Sequence, residues 1–93
     1  MDDVDEFIER RRVELAGRTI DILRELANNL NIELIERELH RIVGTCGTYG
    51  LMEGSLGAAE LLARVRADDV GDLAGELNVL AEVFVHSVEG GKT

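Results

Sequence analysis

The chemistry open to this chain is narrow, because its 93 residues hold two histidines, one cysteine, one tyrosine and no tryptophan. A metal site needs His, Cys or carboxylate ligands that converge on one point. His40 and Cys46 do not converge, since on a helix they face opposite sides, and His86 lies far along the chain. The same geometry separates a cysteine nucleophile from a histidine base, so Cys46 reads as a small buried hydrophobe. No glycine-rich loop joins a strand to a helix, and a nucleotide cradle has no support. What remains is the run from Glu38 to Leu51, ELHRIVGTCGTYGL, in which His40 is followed four residues later by Gly44 and then by Gly47 and Gly50. Gly44 falls one turn after His40, and the missing side chain clears space beside the imidazole. Imidazole, with an ordinary pKa of about 6.5, is a competent nucleophile near neutral pH. One exposed histidine with a cleared neighbour is enough for phosphoryl relay if a partner supplies the metal ion, the acceptor carboxylate and the electrostatic stabilisation. The same residues also fit a plainer reading: a surface histidine, with glycines that let helices pack closely.

The elements that must position His40 follow from apolar spacing. Val4, Phe7, Ile8, Leu15, Ile22, Leu23, Leu26 and Leu30 recur at steps near three and four and predict a first helix from Asp3 to about Asn28 with one apolar stripe. Asn28 and Asn29 suit a helix end, and Asn31 suits the cap of the next helix, which makes a tight helical hairpin. In the second helix Ile35, Leu39, Ile42, Cys46 and Tyr49 form a single seam toward the core. At about 100° per residue His40 lies roughly 140° from the centre of that seam and points to solvent, together with Glu33, Arg37, Gly44 and Thr48. Val43 sits at the border. A third helix carries Leu51, Ser55, Ala58, Ala59, Leu62 and Val65 on one side. A fourth, capped by Asp69, carries Val70, Leu73, Leu77, Leu80, Phe84 and Val88. Glycines 54, 57 and 75 fall in or near these helices at about 1 kcal/mol each against alanine, a cost that close helix approach can offset. The Gly90–Thr93 tail is expected to fray.

Composition agrees with this layout. The chain has no proline and 3% aromatic residues, and its length suits one domain with one core. The expected fold is all-α, an antiparallel four-helix bundle that closes its core within one chain and so favours a monomer. A net charge of −9 repels nucleic-acid phosphates and anionic lipid, and neither is expected as a partner. Arg10, Arg11 and Arg12 form a basic knot, but Asp5, Glu6, Glu9 and Glu14 surround it, which predicts a solvated, salt-bridged face. No apolar run approaches the roughly 18 residues of a membrane span, the acidic N-terminus is unlike a signal peptide, and a lone cysteine forms no internal disulfide. A cytoplasmic protein is the expectation.

The His40 run resembles the signature of histidine-containing phosphotransfer domains: histidine, two residues, lysine, glycine, a small residue, and a second glycine six residues after the first. His40, Gly44, Thr45 and Gly50 match. The resemblance extends in architecture over nearly the whole chain, since such domains are four-helix bundles with the histidine exposed midway along the second bundle helix. It implies that His40 accepts a phosphoryl group and Gly44 makes room for the partner. It further implies partners that are response-regulator receiver domains and a hybrid histidine kinase, with Mg2+ held by the receiver and no cofactor in this chain. Such a protein is a phosphocarrier without catalytic activity of its own.

The departure is Val43, where the family usually has a lysine that steadies the phosphoryl group and helps dock the receiver. Arg37, three residues before His40 on the same face, is the expected replacement, whereas Arg41 projects about 100° away and is the poorer one. The alternative is a pseudo-phosphotransfer adaptor that binds a receiver or kinase without being phosphorylated. Histidine-kinase dimerisation domains differ in having a proline after the histidine, and this chain reads HRIVGT there. A fragment of a chemotaxis-type kinase shares the signature, although the start at Met1 and the short polar tail favour a free-standing protein. His86 lacks a cleared neighbour and is expected to play no part.

Overall fold

The computed structural model describes residues 3–90, and within them the chain forms four helices and no strand. They are α1 (Asp3–Asn28), α2 (Ile32–Thr48), α3 (Met52–Arg66) and α4 (Leu73–Gly90). Gly90 closes α4, and the rest of the tail expected to fray lies outside the described residues. α1 packs most extensively on α4, and α2 on α3; the α3–α4 contact is smaller and the α1–α2 contact smallest. None of the described helices is long and apolar enough to cross a membrane.

One core joins all four helices. Its fully buried members include Leu23 of α1, Ile35 and Leu39 of α2, Ala58 of α3, and Leu77 and Phe84 of α4. Each large side chain removed from water here contributes about 1.5–3 kcal/mol. The α2 seam is found as its spacing predicts, with Ile35, Leu39, Ile42 and Cys46 all buried. Tyr49, the fifth seam position, is the C-terminal cap of α2 and is half-buried. On α3 and α4 the structure adds Leu61 and Ala81 to the buried set.

The predicted α1 stripe needs correction. Val4, Phe7 and Ile8 are exposed, as is Leu30 beyond the helix end, while the buried positions are Ala16, Thr19, Leu23 and Leu26. The reason is length: α1 has 26 residues against 15 to 18 in the others. At 1.5 Å per residue it outruns its neighbours by about 12 Å or more, and among the described residues little lies against its first turns.

Both inner helix ends close in the same way. After α2 the Leu51 N–H donates to Cys46 O at 2.9 Å and the Gly50 N–H to Gly47 O at 3.2 Å, with Gly50 at φ +81°. This Schellman closure needs a left-handed residue, which glycine adopts without a Cβ penalty. After α3 the Asp69 N–H donates to Arg64 O at 2.9 Å and the Asp68 N–H to Val65 O at 3.0 Å, with Asp68 itself at φ +56°. That closure explains a second correction. Asp69 is used in ending α3 and does not cap α4; the cap is Asp72, whose Oδ1 accepts from the Gly75 N–H at 3.0 Å. The predicted Asn31 cap of α2 is present, its Oδ1 accepting from the Leu34 N–H at 3.1 Å.

Glycines 54 and 57 serve close packing: a Cβ at Gly54 would overlap the Phe84 ring, and one at Gly57 would press on Leu80. Gly75 differs, because its missing Cβ leaves room for the Asp72 carboxylate and not for another helix.

Candidate functional site

The direction of His40 is set one residue earlier. Leu39 is fully buried, and with Ile35, Ile42 and Cys46 it fixes the rotation of α2 against the core. A step of about 100° then carries the next side chain to the outside. His40 is exposed, and Glu33, Arg37, Gly44 and Thr48 on the same face are exposed too.

Beside His40 lies an open hollow of about 440 Å³ lined by His40, Arg41, Gly44, Thr45, Thr48 and Tyr49. Its floor is made by absence and by folding back. A Cβ added at Gly44 would meet, beyond its own helix backbone, no atom of the described residues within 4 Å, so the glycine leaves space that none of them fills. Thr45 donates its hydroxyl to Arg41 O at 3.0 Å, and Thr48 donates to Gly44 O at 2.9 Å. Both hydroxyls are thereby held against the backbone of their own helix.

Of the cations expected near His40, Arg41 lines the hollow and Arg37 does not, although both are exposed. Arg37 stands one turn before His40 on the outer face. Val43 is half-buried and packs against the core, and its carbonyl accepts the Ser55 hydroxyl of α3 at 2.9 Å. Position 43 is therefore tied to the α2–α3 contact.

Two participants are not evident from spacing. Tyr49 lines the hollow and also a smaller groove shared with Arg11, Glu14, Leu15 and Arg18 of α1, so it joins the two surfaces. Arg12 reaches across 37 positions of sequence, its Nε donating to Tyr49 O at 2.9 Å. A cation at a helix C-terminus satisfies a carbonyl left over by the helix and complements the helix dipole. Arg12 is half-buried in doing this, so only part of the basic knot is a solvated face. Two of the three arginines pair with acids the sequence places beside them, Arg12 with Glu9 at 2.8 Å and Arg11 with Glu14 at 3.5 Å.

Cys46 is fully buried, with Thr19 Oγ1 at 3.8 Å from its sulfur. Burial pushes its thiol up from the ordinary value of 9.0, against a weaker opposing effect of hydrogen bonds with Thr19 and Thr45. A buried neutral thiol is a poor nucleophile. His86 lies on the exposed face of α4 with Nε2 4.0 Å from Glu82, which also pairs with Arg24 at 3.0 Å. Among the described residues no group of three or more His, Cys, Asp or Glu side chains is placed to hold a metal ion.

No family model, curated protein or solved structure matches the chain.

Proposed function

We propose that this protein is a phosphorelay intermediate that carries a phosphoryl group on His40, within an antiparallel four-helix bundle of the histidine-phosphotransfer kind. The observation that carries the reading is the pairing of an exposed His40 with Gly44, whose missing side chain leaves an empty flank one helical turn away. A helix gives up about 1 kcal/mol at such a glycine. Nothing among the described residues takes up the space, which suits a partner closing around the imidazole.

The chemistry asks little of the carrier. The lone pair of an imidazole nitrogen attacks the phosphorus of a receiver's aspartyl phosphate. A P–N bond forms, the P–O bond breaks, and its electron pair leaves with the aspartate carboxylate. The proton on the other ring nitrogen stays with the ring. The reverse step delivers the group to a second receiver. Charge on the phosphoryl oxygens is met by the Mg2+ that the receiver holds, and by Arg37 or Arg41 from this chain. A hybrid histidine kinase upstream and a response regulator downstream are the partner classes, in the cytoplasm.

A second reading rests on Val43. With a half-buried valine in place of the usual lysine, the surface is that of an adaptor which docks a receiver and carries nothing. Intact-mass analysis after incubation with phosphoramidate or a phosphorylated receiver separates the two. A single acid-labile phosphoryl adduct in the wild type and His86→Gln, absent from folded His40→Gln, is the expected result. No adduct from either donor on the folded protein would leave the adaptor.

A further inference from the structure

The first turns of α1 form a second surface, independent of His40. Val4, Phe7 and Ile8 are 69%, 59% and 38% exposed, none of them packs against the core, and the first buried residue of α1 is Ala16. With the stem of Arg11 they fall within about 100° of one another around the helix, so the overhang carries a continuous apolar stripe. Isolated helices of this length are marginal in water. This one is supported by the Glu9–Arg12 and Arg11–Glu14 pairs and by the Arg11 guanidinium over the Phe7 ring, 6.0 Å from its centroid, and Phe7 still stays 59% exposed.

Charge along the overhang selects the occupant. The sequence places Asp3, Asp5, Glu6 and Glu9 first and Arg10, Arg11 and Arg12 immediately after. Two such helices laid parallel set acid against acid and base against base. Laid antiparallel, each acidic turn meets the other's basic turn while the apolar stripes face each other, a self-complementary pattern of the kind that a two-fold contact requires.

We propose that two copies of this chain associate through the α1 overhangs, packed antiparallel about a two-fold axis. The core does close within one chain, as the expectation of a monomer assumes, but the stripe lies outside that core. From Val4 to Arg11, before Leu15 meets the core, the stripe spans about 10 Å, a short contact that belongs with weak, concentration-dependent dimers.

The test is sedimentation equilibrium of the full chain from micromolar to millimolar concentration. The wild type is expected to move from monomer to dimer, and Phe7→Asp to weaken the dimer by about tenfold or more with its thermal unfolding unchanged, since Phe7 lies outside the core. Two charge variants give the sharper readout. Asp5→Arg with Glu6→Arg makes the overhang predominantly basic, and Arg10→Glu with Arg11→Glu makes it predominantly acidic. Each alone should remain monomeric, and an equimolar mixture should form the heterodimer. A wild type that stays monomeric at millimolar concentration overturns the proposal and gives the stripe to a different protein. Dimers indifferent to Phe7→Asp overturn it by placing the contact elsewhere. A mixture that fails to associate while the wild type dimerises overturns the antiparallel arrangement.

Discussion

Gly44 on α2 and Gly54 on α3 make the same omission in opposite surroundings. Each forgoes a methyl group that a helix favours by about 1 kcal/mol. At Gly54 the space belongs to the Phe84 ring, and the omission is repaid inside the chain by close contact of α3 with α4. At Gly44 an added Cβ meets nothing, so no contact within the chain recovers the loss. A buried glycine is explained by its own fold, whereas an exposed one midway along a helix directs attention to something outside it. On α2 that glycine lies beside the outward-facing histidine.

The comparison can be broken at several points, of which the largest is His40 itself. His40→Gln is expected to abolish phosphoryl acceptance while leaving thermal unfolding unchanged, with His86→Gln retaining full acceptance; intact mass and a melting curve read both. Next come the glycines. Gly54→Ala should destabilise by about 1–3 kcal/mol through overpacking against Phe84, whereas Gly44→Ala should stabilise by up to about 1 kcal/mol. Urea unfolding measures the difference in sign. If both destabilise alike, the contrast drawn here is wrong.

A bulky side chain at Gly44 tests the outer space directly. Gly44→Leu should keep the fold and slow transfer from a phosphorylated receiver by about tenfold or more, equivalent to about 1.4 kcal/mol of barrier. Smaller again is the effect of the cations. Arg37→Ala is expected to lower the transfer rate and shorten the lifetime of phospho-His40 by a few-fold, and Arg41→Ala, whose position lines the hollow, is the comparison that ranks the two. Unchanged values for both would remove this chain's arginines from the chemistry. The smallest effect concerns pH. Because burial raises the Cys46 thiol in the folded state, the folded chain holds that proton more tightly than the unfolded one. Its stabilising contribution is complete below the ordinary thiol value of 9.0 and is lost as pH rises toward the raised folded value. Cys46→Ala should flatten that alkaline decline, as followed by urea midpoints across the range.

Much of α2 is legible in sequence because both its boundaries and its rotation are local matters. Asn31 is a good cap wherever it falls, and Ile35, Leu39, Ile42 and Cys46 repeat at one spacing, so the outward direction of His40 follows without knowledge of the other helices. α1 is less legible: its buried residues Ala16, Thr19, Leu23 and Leu26 are continued toward the N-terminus by Arg12, Glu9 and Asp5, while Val4, Phe7 and Ile8 drift to one side of that face, and the shorter neighbouring helices leave them exposed. The start of α4 fails for a different reason. Asp69 and Asp72 are equally able to cap, and the choice depends on Asp68 adopting a left-handed conformation that draws Asp69 into the end of α3. Arg12 and Tyr49 meet across a distance in sequence that no periodicity spans.

The Arg12–Tyr49 contact also has a kinetic meaning. Arg12 holds the last carbonyl of α2 from the middle of α1, and the amides of Gly50 and Leu51 are engaged in the turn immediately beyond it. Local fraying of that turn and release of α1 are thereby joined in one opening event. Hydrogen exchange at Gly50 and Leu51 becomes a clock for motion of α1, read where Arg12 of α1 and Ser87 of α4 meet the turn after α2, and the hollow beside His40 keeps its shape for as long as that clock runs slowly.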